Sequence, residues 1–151
     1  MTSKKEWYQI DNVEELDTPA LVIYKDRVKQ NIETLINSID DISRLRPHVK
    51  THKSQQVCEL MLKAGIKKFK CATIAEAEML ALAGAPDVLL AYQPVGPKAH
   101  RLASMAKKFP STSFSCLIDN LATATFISDL FVQQHSSIAV YIDLNVGMNR
   151  T

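Results

Sequence analysis

The sequence contains few of the features that mark specialised classes of protein. Only three cysteines occur in 151 residues, an odd number spread widely along the chain. They form neither a disulfide framework nor a zinc motif, which favours a reducing cytoplasmic location and buried apolar thiols. No apolar run reaches the ~18 residues of a membrane span, and the polar N-terminus lacks the apolar core of a secretory signal.

Glycine and net charge are also scarce. The chain has four glycines, and no Gly-x-Gly-x-x-Gly follows the first predicted strand, which argues against a dinucleotide-binding fold. The net charge is +2, from 18 basic and 16 acidic residues, so neither a nucleic-acid partner nor a membrane partner is indicated. The remaining composition, 46% hydrophobic and 23% charged, is ordinary for a soluble globular domain.

A strand-then-helix unit repeats along the chain. Helical periodicity and capping residues predict five helices, which begin at Asp26, Ser54, Thr73, Gly96 and Asn120. Six strands are predicted between these helices, most of them as short apolar runs, at residues 18–24, 44–50, 69–72, 88–91, 113–118 and 138–144. This alternation implies parallel strands joined by right-handed crossovers.

Two α/β architectures fit this alternation: a doubly wound open sheet and a (β/α)8 barrel of the TIM type. A barrel typically needs ~250 residues, and this chain supplies six strands. We expect the N-terminal part of a barrel, truncated before closure, within a longer protein. Residues 1–16 would form an N-terminal extension, and residues 17–151 an incomplete barrel domain without its last strands and C-terminal β domain. Its unpaired apolar edges would make the segment alone poorly soluble or would pair with another chain.

Residues 46–53 (Arg-Pro-His-Val-Lys-Thr-His-Lys) form the segment that points most directly to chemistry. If residues 46–50 end a strand, Arg46, His48 and Lys50 share one face. Basic groups on an inward face are costly to desolvate unless an anion or a π-acid binds there. Crowded cations favour the free amine of a lysine, as a Schiff-base lysine requires. A solvent-facing basic turn explains the segment equally well.

Five motifs in order resemble the D-threonine aldolase and D-serine dehydratase family. They are Asp-Thr-Pro-Ala-Leu-Val-Ile at 17–23, the basic segment at 46–53, Cys-Ala-Thr-Ile-Ala-Glu-Ala-Glu at 71–78, Leu-Ala-Tyr-Gln-Pro-Val-Gly-Pro at 90–97, and Gly-Met-Asn-Arg at 147–150. The resemblance covers nearly the whole chain. It implies an alanine-racemase-like barrel that holds pyridoxal 5′-phosphate.

The resemblance also assigns residues to this site. Lys50 matches the lysine that carries pyridoxal phosphate, and Arg150 matches an arginine expected near the phenolic oxygen of the cofactor. His48 could support the cofactor or be a core histidine, and Gln93 could be its polar neighbour or a turn residue. The other assignments stay open. Lys53 would be a loop residue, and His52 either a loop residue or a contact to substrate or cofactor. Thr73 and Glu76 are mainly helix caps, and Asp143 is an ion-pair partner or a loop cap.

The implied activity is a pyridoxal-phosphate-dependent lyase acting on D-β-hydroxy amino acids. D-threonine aldolase is the first alternative, and D-serine dehydratase, an amino-acid racemase, a non-catalytic cofactor carrier and a plain binding domain remain. The family's divalent metal (Mn or Zn) is expected only through a C-terminal domain outside this chain. By analogy, the protein is expected to form a homodimer.

Overall fold

The computed structural model describes residues 6–149, and the chain divides into two compact units, Met1–Ser38 and Ile39–Thr151. The first unit contains a short 3₁₀ turn, Val13–Glu15, and helix α1, Lys25–Asn37. Three aromatic rings meet there, because the Trp7 ring stands edge-on to both Tyr8 and Tyr24. The Tyr24 hydroxyl donates to the Tyr8 carbonyl over 2.6 Å.

The strand predicted at residues 18–24 is wrong. This segment is irregular, and Leu21 and Val22 are largely exposed. A strand needs a hydrogen-bonded neighbour for its backbone groups, and residues 18–24 form neither a strand nor a bridge. The helix predicted to begin at Asp26 is confirmed, and it starts one residue earlier, at Lys25.

The second unit contains a four-stranded parallel sheet and four helices. The strands are β1 (Lys68–Cys71), β2 (Asp87–Leu90), β3 (Ser113–Ile118) and β4 (Ala139–Ile142). The helices are α2 (Gln55–Lys63), α3 (Ile74–Leu82), α4 (Pro97–Lys108) and α5 (Leu121–Gln133). The third to fifth predicted strands correspond to β1, β2 and β3, and the sixth is shorter than predicted.

The order of the strands decides between the two predicted architectures. The sheet order β1-β2-β3-β4 is the order along the chain, and every neighbouring pair is parallel. A doubly wound sheet reverses its order at a switch point, whereas a barrel continues in one direction with its right-handed crossover helices on one face. The four strands therefore have the topology of a barrel segment.

The second predicted strand, residues 44–50, is reduced to a single bridge. Its start belongs to a 3₁₀ turn, Ile42–Arg44, and its end to another, Val49–Thr51. Only His48 pairs with the sheet, as a parallel partner of Lys70. The two-residue alternation that placed Lys50 on the face of Arg46 and His48 is therefore wrong, because the 3₁₀ turn ends it before Lys50.

Local capping signals set the helix boundaries as predicted. The side chains of Ser54, Thr73 and Asn120 accept hydrogen bonds from backbone N–H groups of the first turns of α2, α3 and α5. Gly65 and Gly84 follow α2 and α3 with φ of 96° and 84°, a conformation that favours glycine after a helix.

The core lies between the helices and one face of the sheet. Alternate strand residues, among them Phe69, Val88 and Leu90, are fully buried there. Helices α3 and α4 contribute Leu80 and Leu102, which are also fully buried. The opposite face of the sheet, here called the open face, carries the other alternate positions, including Lys70 and Asp87. Among residues 6–149, no helix is long and apolar enough to cross a membrane.

The three cysteines lie in this core, as predicted, and should resist alkylation. Burial raises the pKa of Cys58 and Cys116 to about 11 and that of Cys71 to about 12. At pH 8 the folded protein should hold almost no thiolate, which is the reactive form. We expect iodoacetamide to label all three thiols only at the rate of unfolding, as mass spectrometry would show. Rapid labelling of any one of them without denaturant would contradict this burial.

Candidate active site

The carboxyl ends of the strands form the edge at which polar residues collect. Because the strands are parallel and in register, β1 to β4 all end along this edge. Barrel enzymes place their catalytic groups in the loops of this edge. The turn Val49–Thr51 precedes β1 and joins the same edge through the bridge between His48 and Lys70.

Lys50 lies in the middle of this 3₁₀ turn. The backbone N–H of Lys50 donates to Nδ1 of His48 over 3.3 Å, so the His48 side chain caps the turn. The turn closes through hydrogen bonds from the backbone N–H groups of His52 and Lys53 to the Val49 carbonyl, at 3.2 and 2.9 Å. Val49 itself is fully buried, so the turn is anchored in the core while Lys50 points outward.

The amine of Lys50 is exposed and unpaired. Within residues 6–149, its Nζ makes no hydrogen bond or ion pair, whereas Lys53 and Lys108 each bind a carboxylate. A primary amine that is held on a rigid turn and remains unpaired can attack a carbonyl group, as a lysine nucleophile must. Among the residues predicted for the site, Lys50 therefore has the surroundings that best suit a nucleophile.

The surroundings of His48 keep its imidazole neutral. Burial lowers the pKa of His48, and the nearby positive charges of Lys50 and Lys70 lower it further. Because Nδ1 accepts the hydrogen bond from Lys50, the proton of the neutral ring lies on Nε2. His48 can therefore donate one hydrogen bond through Nε2 without adding a positive charge beside Lys50.

A buried carboxylate lies beyond the turn. The Glu76 side chain is only 5% exposed and forms an ion pair with Nζ of Lys53. Its second oxygen accepts from the backbone N–H of Ala72 over 2.8 Å. Burial works to raise the pKa of Glu76, but the hydrogen bonds from Lys53 and Ala72 outweigh burial and hold that pKa below its usual value.

His52 also turns towards this region. Its Nδ1 accepts from the backbone N–H of Ser54 over 3.1 Å, which leaves the proton of the neutral ring on Nε2. That Nε2 is buried and has no hydrogen-bond partner among residues 6–149. Burial lowers the pKa of His52, so the ring is neutral at neutral pH and offers one unused donor.

Arg46 serves a different purpose from the one its motif suggested. Its guanidinium makes two hydrogen bonds to the carboxylate of Asp87, at 2.6 and 2.9 Å. It also approaches the Tyr141 hydroxyl at 3.5 Å. These contacts lie on the open face, and Asp87 begins β2, at the edge opposite the turn. The expectation that Arg46 shares a face with Lys50 is therefore wrong, and the anion that Arg46 binds is the carboxylate of Asp87.

Gln93 and Asp143 meet at the carboxyl edge. Nε2 of Gln93, just after β2, donates to Oδ2 of Asp143, just after β4, over 3.3 Å. The structure thus brings Gln93 to the predicted edge, but no hydrogen bond within residues 6–149 joins it to His48 or Lys50. Arg150 lies outside the described residues. Within residues 6–149, no group of three or more His, Cys, Asp or Glu side chains could hold a metal ion.

Sequence reasoning missed two residues that the structure brings to this edge. Lys70 lies opposite His48 across the bridge, and the alternation of polar and apolar residues in Lys-Phe-Lys-Cys at 68–71 is the sequence signal that could have found it. Glu76 was assigned mainly to capping. Thr73 caps α3 as predicted, but the Glu76 carboxylate accepts from Ala72 and Lys53. No sequence spacing indicated the contact with Lys53, which is 23 positions away.

Comparison with known proteins adds an independent line of argument. Over 143 residues the chain is 33% identical to a D-threo-3-hydroxyaspartate dehydratase of Delftia sp. (strain HT23). Over 142 residues it is 28% identical to a D-threonine aldolase of Arthrobacter sp.. Each alignment covers 93% of this chain and 37% of the relative, so the chain spans just over a third of these proteins.

The fold of the chain matches the same kind of protein. The crystal structure of D-threonine aldolase from Filomicrobium marinum superposes with a TM-score of 0.80 at 28% sequence identity. The match covers 89% of this chain and 36% of that structure. The family model described as "Alanine racemase, N-terminal domain" matches residues 23–151, which is most of the sequence. The chain therefore belongs to the alanine racemase N-terminal domain family.

Proposed function

We propose that this chain forms the cofactor-binding part of a pyridoxal-phosphate-dependent lyase that acts on D-β-hydroxy amino acids. The observation that carries the proposal is Lys50, an unpaired amine on an anchored turn at the carboxyl edge of a barrel-type sheet. The two relatives above, an aldolase and a dehydratase, are each named for a substrate of this class.

The residues at the edge fit the cofactor. When bound, pyridoxal phosphate supplies an electron sink for a bond broken at the substrate Cα. Lys50 would hold its aldehyde carbon covalently, and neutral His48 and Gln93 would offer neighbouring hydrogen-bond donors. Arg150 would supply a cation near the phenolic oxygen, as the family resemblance implies. The buried, unused Nε2 of His52 is a further donor near this turn.

Lys50 would also move protons. Once substrate occupies the site, the freed Nζ can take a proton from, or return one to, the face of Cα on which the turn lies. In an aldol cleavage, a second base would take the β-hydroxyl proton. The Cα–Cβ bond then breaks, and Cα receives a proton to give glycine and an aldehyde.

The dehydratase is a second candidate. It is favoured by the 33% identity to the hydroxyaspartate dehydratase, against 28% for the aldolase. In that reaction, a base takes the Cα proton and the β-hydroxyl leaves as water. Hydrolysis of the resulting enamine gives a keto acid and ammonia. Both reactions need the same amine at Lys50, and they differ in the bond that breaks.

One assay separates the alternatives. The full-length protein that contains this segment, supplied with pyridoxal phosphate and Mn²⁺ or Zn²⁺, is given D-threonine, with L-threonine as the control. We expect glycine and acetaldehyde; oxobutyrate and ammonia would favour the dehydratase, and an inverted Cα would favour a racemase. Suppose that borohydride traps the cofactor on Lys50 while neither D-threonine nor D-threo-3-hydroxyaspartate gives a product. That result would contradict the lyase and favour a non-catalytic cofactor carrier. A homodimer belongs to the same proposal and is checked by sedimentation velocity.

A further inference from the structure

Glu76 is buried at a place where an anion is costly. Its side chain is 5% exposed and lies in the first turn of α3. The start of α3 already has a cap, because the Thr73 hydroxyl accepts from the backbone N–H of Glu76 over 3.1 Å. Capping the helix would therefore not require a buried carboxylate at Glu76. A buried carboxylate is tolerated only where charged and polar partners satisfy it. Its role is therefore defined by those partners, Lys53 and Ala72.

Lys53 has an unusual backbone conformation. Its φ is +47°, in the left-handed region that residues other than glycine seldom adopt. Its N–H donates to the Val49 carbonyl over 2.9 Å, so Lys53 is the residue at which the chain leaves the turn. Because its side chain is 61% exposed, packing does not hold it there. The chain continues from there into the cap of α2 at Ser54, and the ion pair with Glu76 ties the Lys53 side chain to α3.

The same carboxylate also joins the turn to the end of β1. One oxygen of Glu76 binds Nζ of Lys53, and the other accepts from Ala72, the residue directly after β1. Glu76 also interacts electrostatically with His48 and His52, which flank Lys50 on either side. The backbone that carries Lys50 is thus held by the His48–Lys70 bridge before it and by Glu76 after it.

We propose that Glu76 is a positioning residue that, through Lys53, fixes the turn from which Lys50 reaches the cofactor. The expected change in cofactor binding rests on the proposed function. The expected change in the turn does not rest on it. The effect of Glu76 on the turn is a local property of residues 49–76 and can be measured without any cofactor.

The test compares Glu76→Gln and Lys53→Met with two matched controls. Glu78→Gln removes an exposed carboxylate from the same helix, one that pairs with Lys108 over 2.8 Å. Lys53→Arg keeps the charge and should rescue the loss seen in Lys53→Met. We expect pyridoxal phosphate to bind about tenfold more weakly to Glu76→Gln and Lys53→Met, as when supports of a site are lost. Both controls should bind as the unaltered protein does.

Hydrogen exchange supplies the readout that needs no cofactor. We expect faster exchange at the N–H groups of Lys53 and Ala72 in Glu76→Gln, with α4 and β3 unchanged. Unchanged exchange at both of these N–H groups would overturn the proposal. Weaker cofactor binding that is wholly explained by an unfolded fraction of the variant, measured by circular dichroism, would also overturn it. If the unaltered protein fails to bind pyridoxal phosphate at Lys50, the proposed function fails, while exchange still decides the role of Glu76. Since Lys53 is exposed, Lys53→Met remains testable if Glu76→Gln does not fold.

Discussion

Replacing Lys50 with alanine is expected to abolish covalent attachment of pyridoxal phosphate and to lower lyase activity by on the order of 10³-fold or more. The physical reason is that Lys50 would supply both the amine that holds the cofactor and a group that moves the Cα proton. The side chain is exposed, and its ammonium is unpaired within residues 6–149. Its removal should therefore leave the free energy of unfolding nearly unchanged.

The measurement combines borohydride trapping with peptide mass spectrometry and initial rates of product formation. Lys63→Ala is the matched control, since Lys63 is an exposed lysine in the last turn of α2. In the unaltered protein the trapped cofactor should be found on the peptide containing Lys50. Trapping on Lys53 or Lys70, or a Lys50→Ala variant retaining more than a tenth of the activity, would refute the assignment.

The second large effect concerns stability and the ion pair between Arg46 and Asp87. The two side chains are 18% and 32% exposed and are joined by two hydrogen bonds. Asp87→Ala would leave the guanidinium of Arg46 half-buried without its carboxylate. We expect this to cost about 3 kcal/mol in the free energy of unfolding, with a coupling energy of about 2 kcal/mol in the double-mutant cycle with Arg46→Met.

The chain contains a closely matched control pair. Arg44 and Asp40 meet at the same 2.6 Å between NH1 and Oδ1, but their side chains are 63% and 77% exposed. Solvent screening should reduce their coupling to less than about 0.5 kcal/mol. Urea unfolding of both cycles measures the two energies. Equal coupling in the two pairs would mean that burial does not strengthen the Arg46–Asp87 pair.

Several elements could be predicted because their signals are local. A helix begins where a side chain such as Ser54, Thr73 or Asn120 can accept from N–H groups two or three residues ahead. It ends where a glycine such as Gly84 permits a positive φ. These preferences act within one turn of the chain, so they are readable without knowing the fold. Lys50 became a candidate in a different way, through the resemblance of motifs spread over the whole chain.

The first two predicted strands show that local sequence signals alone do not guarantee a strand. Residues 18–24 have the apolar composition of a strand, and residues 44–50 lie where the alternation of strands and helices calls for one, but a strand exists only beside a hydrogen-bonded partner. Within residues 6–149, the second segment finds one bridge, His48 to Lys70, and the first finds none. Composition measures the tendency of a segment to pair, while the tertiary structure supplies the partner.

By itself the sequence determined the starts and ends of the helices and the four strands β1 to β4, because these follow from short-range sterics, capping and apolar pattern; it offered Lys50 as a candidate through the order of its motifs. Only the tertiary structure decided which charges meet. Arg46 finds Asp87 41 positions away, Lys53 finds Glu76 23 away, and Gln93 finds Asp143 50 away. These pairings depend on how adjacent strands align and on which face each side chain occupies. Both are set by packing the helices against the sheet, which no single segment encodes.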